Sequence, residues 1–68
     1  MSVDLPDLKL LSLRCLSRKG FIQTLTLKSE HLEICELGFV DVMNMKVKKE
    51  GVVIRKISSV VVSLETIE

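Results

Sequence analysis

No stretch of this chain stays apolar for more than a few residues, and where apolar residues recur they fall mostly at every second position. From Leu8 to Leu16, Leu11, Leu13 and Cys15 share one face and Ser12 and Arg14 the other, until Ser17-Arg18-Lys19-Gly20 breaks the pattern. Met43, Met45 and Val47 alternate with Asn44, Lys46 and Lys48 up to Glu50-Gly51, the period of a half-buried strand. Val52 to Ile57 is expected to return as the second arm of a hairpin. Ser58-Ser59 interrupts it, and the valine-rich Val60 to Leu64 forms another strand. Phe21 to Leu27 mixes strand-forming Ile22, Thr24 and Thr26 with the helical spacing of Phe21, Leu25 and Lys28, and is taken as extended or loop. The pattern implies one mainly β domain over residues 1–68, with no internal repeat or linker.

One segment departs from that period. Ser29 offers an N-cap oxygen, and Glu30 and Glu33 suit the positive end of a helix dipole, so a short helix is expected from Glu30 to Leu37. Gly38 in the left-handed conformation would end it, with Phe39 packing back on Ile34; Leu37, Gly38 and Phe39 form the structural turn. Leu32, Leu37 and either Ile34 or Cys35 would be buried, leaving His31, Glu33 and Glu36 in water. On such a helix His31 and Cys35 lie four residues apart, a spacing at which two ligands can meet one metal. A closed site needs about four ligands, and the chain has no other histidine, so no metal and no cofactor is expected. Met43 and Met45 offer soft sulfur, but their alternation assigns them to packing.

Size and charge narrow the function. A 68-residue domain removes only about 60% of its surface from water on folding and leaves little room for a catalytic cleft. Its glycines, Gly20, Gly38 and Gly51, are isolated, so there is no phosphate-binding loop, and His31 lacks an orienting partner outside its own segment. No catalytic residue is assigned and an enzyme is not expected. A net charge of +1 and only two aromatics, Phe21 and Phe39, argue against nucleic acid as a partner. Apolar runs fall far short of the ~20 residues of a membrane span, and MSVDLPDLK carries acids where a signal peptide carries bases. A cytoplasmic protein with Cys15 and Cys35 reduced is expected.

The segment His31-Leu32-Glu33-Ile34-Cys35-Glu36-Leu37-Gly38-Phe39, followed by Met43 to Val47, Val52-Val53-Ile54-Arg55 and Val60-Val61-Val62-Ser63-Leu64, resembles the FeoA-like domain family, with Leu5 and Leu8 similar to its opening leucines. Asp41-Val42-Met43-Asn44 and Leu10-Leu11 stand where that family usually has Pro-Gly. The resemblance implies an SH3-like small β-barrel with one short helix, cytoplasmic. Such a protein acts by contact with a FeoB-type membrane GTPase in ferrous iron uptake and is peripheral to the membrane only through that partner. Related barrels occur in DtxR-type repressors, so a regulatory module is one alternative; a nucleic-acid-binding small barrel, supported only by the basic cluster Lys46, Lys48, Lys49, Arg55 and Lys56, is the other. A barrel left unclosed would expose a sheet edge through which copies could pair as a homo-oligomer.

A hairpin at Glu50-Gly51 would set Lys46 opposite Arg55 and Lys48 opposite Val53. Lys46, Lys48 and Arg55 would then make a basic outer stripe, either a solvated face or a docking surface for an acidic partner or anionic headgroups.

Overall fold

The computed structural model describes residues 1–67. Seven strands follow one another: β1 (Ser2–Val3), β2 (Leu10–Arg14), β3 (Gly20–Leu27), β4 (Ile34–Gly38), β5 (Val40–Val47), β6 (Val53–Ile57) and β7 (Val61–Thr66). The chain is mainly β, and no helix occurs among the described residues. The strands form two sheets, ordered β1-β3-β5-β7 and β2-β4-β6, and every paired neighbour runs parallel.

Parallel neighbours cannot be joined by a tight turn, because the chain must travel back to the start of the next strand. Here that return is made by the strands of the other sheet. Each strand therefore lies on the strand one coil earlier, and the chain winds as a short solenoid. Ile34 pairs with Leu10, 24 residues before it, while the next coil repeats after 19 residues, as in the bond from the Val60 amide to Asp41 Oδ1. The longer first coil carries the loop Cys15–Lys19 where the second has only Phe39 between β4 and β5.

This architecture differs from the expected SH3-like barrel, whose hairpins would be antiparallel. Gly51 does turn the chain, with φ 82°, but it leads from β5 in one sheet to β6 in the other rather than folding the two together. Nor is the chain free of repeats: the coil itself repeats, hidden because what recurs is the inward or outward direction of a side chain rather than its identity.

The expected helix over Glu30–Leu37 is a turn followed by β4. Ser29 is buried, but its hydroxyl accepts the Leu5 amide at 3.2 Å instead of capping a helix, and the Leu32 amide reaches the Ser29 carbonyl at 3.3 Å. From Ile34 the chain has paired strands on both sides, with Cys35 and Leu37 facing in and Ile34 and Glu36 facing out. Two complete ladders outweigh the cap-like signals of a segment too short to hold a helix by itself. Gly38 does not adopt a positive φ; the left-handed residue is its neighbour Phe39, at 57°.

The core is built of columns, one residue from each coil. Leu11, Cys35 and Ile54 make one, Ile22, Val42 and Val61 another, and Leu25, Met45 and Leu64 a third. In β3, β5 and β7 the inward phase slips by one residue, since Val42 and Met45 both face the core. Pairing is interrupted there, at Gln23, Met43 and Val62, so the sheet bends and Met43 is turned outward, against the alternation that would have buried it. Burial peaks in the middle coil: Cys35, Val42 and Met45 are fully covered, whereas Leu64 in the last coil is 52% exposed. A coil is shielded only where it has a neighbour on each side.

Candidate functional site at the open end of the stack

Among the described residues, β6 and β7 are hydrogen-bonded to a neighbouring strand on one side only. Their free edges carry unpaired backbone donors and acceptors, a template for a further strand. Between them the interior is uncovered, leaving a hollow of about 190 Å³ floored by Val47, Ile54 and Leu64 and rimmed by Lys49 and Glu50. The β6 edge is basic, with Arg55 on the outward side and Lys56 on the inward side. Lys56 is paired in register with Leu37, whose side chain is buried in the core, and Ile54, two residues earlier, packs on that core. Neither Arg55 nor Lys56 has an ion-pair partner among the described residues.

The three residues expected to form a basic stripe are not brought together. Lys46 sits on β5 beside Glu65 of β7, with a 3.8 Å ion pair. Lys48 lies just beyond β5 and pairs with Glu30 at 3.1 Å, a contact that holds the Glu30 carboxyl below its ordinary range. Arg55 belongs to the other sheet, next to Glu36. The hairpin register that would have aligned them does not exist.

Leu37, Gly38 and Phe39 are joined, but as the end of β4 and a corner. The Gly20 amide donates to the Phe39 carbonyl at 2.8 Å and the Phe39 amide to the Ile57 carbonyl at 2.9 Å, so the ladder runs on around the corner. Phe39 and Leu16 stay exposed beside a second hollow of about 200 Å³. His31 is exposed on its turn while Cys35 points into the core, so the two do not face one site. Burial, with the Glu36 charge as a lesser cause, pushes the Cys35 thiol up to about 11. Both cysteines are free thiols, and no group of three His, Cys, Asp or Glu residues suited to a metal occurs among the described residues. No helix there is long and apolar enough to cross a membrane.

Ile54 and Leu64 were not singled out from sequence, and Lys56 only as one member of a basic cluster, because their importance lies in being uncovered. Only strand order tells which coil is last. The fold defines the class of protein: a parallel β-solenoid, with the β6 and β7 edges free among the described residues. No family model, no curated protein and no solved structure matches the chain.

Proposed function

We propose that this protein is a non-catalytic interaction module that binds by adding a strand of a protein partner to its open β6/β7 end. The observation that carries the reading is the conjunction of two unpaired strand edges with an uncovered apolar floor. Backbone pairing supplies affinity in strand addition, and pockets for alternate side chains supply selectivity. The hollow at this end is lined by apolar Val47, Val52, Ile54 and Leu64 beside Lys49 and Glu50, a lining suited to contact with side chains of an added strand.

Action by protein contact, in the cytoplasm, is also what the FeoA-like resemblance implies, and a FeoB-type membrane GTPase in ferrous iron uptake is the partner it names. Support for that partner rests on the resemblance alone, and the Leu37-Gly38-Phe39 segment within it ends a strand rather than a helix. The nucleic-acid alternative needs a continuous basic face, and Lys46 and Lys48 are spent on acidic neighbours.

The test is amide hydrogen exchange of the whole chain with and without the cytosolic part of a FeoB-type GTPase, and with the proteins it captures from lysate. Protection gained along Val53–Ile57 and Val61–Thr66 supports strand addition. Protection gained only elsewhere, by any bound protein, refutes it.

A further inference from the structure

Resting on that reading, we infer that the β6 edge selects an extended acidic segment, one placing an apolar residue over Ile54 and a carboxylate over Lys56, and rejects a second copy of this chain. All ladders here are parallel, so the next strand would continue the columns of β6. Val53, Arg55 and Ile57 face outward, while Ile54 and Lys56 face the interior side. A side chain set over Lys56 therefore meets an ammonium group as the end is closed off from water. An apolar residue there would strip the charge of solvent without compensation, whereas a carboxylate supplies the counter-charge. Arg55, beside it on the outer face, adds a second positive position. The fold already uses this pairing between coils, in the Lys46–Glu65 contact of 3.8 Å within one column.

The chain's own opposite end meets the first requirement and fails the second. With β2 of a second copy laid on β6 in the same register, Leu11 would suit Ile54, but Leu13 would fall on Lys56 and Arg14 on Ile57. That placement also carries the second copy's β3 to β7. The edge of β3 needed there is taken at Thr26 and Leu27 by β1, which pairs through Ser2 and Val3 and is held further by bonds from the Thr26 amide to the Met1 carbonyl and from the Lys28 amide to the Val3 carbonyl. An inward-facing charge at a sheet end is a known barrier to unwanted pairing, and Lys56 acts as that barrier toward its own kind while serving as the recognition charge for an acidic strand.

The probes are two fluorescent peptides with the cores Val-Ile-Glu-Glu-Val and Val-Ile-Glu-Lys-Val, differing only at the residue set over Lys56. Each is titrated by anisotropy into the whole chain, wild type, Lys56→Glu and Lys56→Gln, with circular dichroism confirming that each variant is folded. Wild type should bind the first peptide about tenfold more tightly, a difference that shrinks as salt rises. Lys56→Glu should reverse the preference, and Lys56→Gln should abolish it. Equal affinity of wild type for both peptides overturns the charge selection and leaves strand addition standing. Binding of neither peptide overturns both. Concentration-dependent self-association of wild type that excludes the peptides also overturns the inference, because the occupant would then be a second copy.

Discussion

Phe39 and Ser58 occupy the same corner in successive coils, each in the left-handed region, with φ of 57° and 49°. Both follow the last residue of a strand in the β2-β4-β6 sheet, Gly38 and Ile57, which are themselves paired. A single left-handed residue turns the chain from one sheet into the other without breaking the ladder. The turn is secured beside it, where the Val40 amide donates to Ser59 Oγ at 2.8 Å and the Val60 amide to Asp41 Oδ1 at 2.9 Å.

Ser58 is exposed, so substitutions there report backbone strain without a change in packing. Ser58→Val should lower stability by about 1–2 kcal/mol, because a β-branched side chain is poorly tolerated at positive φ. Ser58→Asn should be close to neutral. Chemical denaturation of the two variants checks this, and equal stabilities would remove the left-handed corner.

Truncations should cost more in the middle coil than at its open end. Leu37→Ala removes a side chain buried on all sides and is expected to cost about 2–5 kcal/mol. Leu64→Ala removes one that is 52% exposed and should cost less than half as much. Thermal or urea melts of the pair measure the gradient of burial along the stack.

β2, β5, β6 and β7 were legible in the sequence from alternation or β-branched runs, whereas β3 was read only as extended or loop and β4 as a helix. The sides of Leu11, Leu13 and Cys15 against Ser12 and Arg14 were read correctly, as was the burial of Leu32, Met45 and Val47. How the strands pair was not legible. Glu50-Gly51 between two apolar runs carries the same turn signal whether the second run folds back as a hairpin or moves on to another sheet. Ser29 followed by acids looks like a helix start, and only the presence of β2 and β6 on either side of Ile34–Gly38 decides otherwise. The candidate site was hidden for the same reason: Lys56 in sequence is one more lysine in a basic cluster, and its position over Leu37 exists only once the coils are stacked.

The buried Cys35 thiol makes stability fall at alkaline pH. Its pKa is raised from 9.0 in the open chain to about 11 in the fold. Below pH 9 both states keep the proton and the group has no effect. Above it the unfolded chain releases the proton first, so folding loses about 1.4 kcal/mol per pH unit until the folded thiol also ionises near 11. Cys35→Ala should show a shallower decline than wild type between pH 9 and 11 in paired denaturant titrations; parallel curves would mean the thiol is not shielded from water.

The parallel stack is the claim on which everything else depends, and through-space proton contacts in a nuclear Overhauser spectrum of the labelled whole chain test it most directly. The account predicts backbone contacts of Lys46 with Thr26 and Glu65, and of Arg55 with Glu36, each joining residues about one coil apart. Backbone contacts of Lys46 with Arg55 and of Lys48 with Val53, the signature of an antiparallel hairpin across Glu50-Gly51, would contradict it.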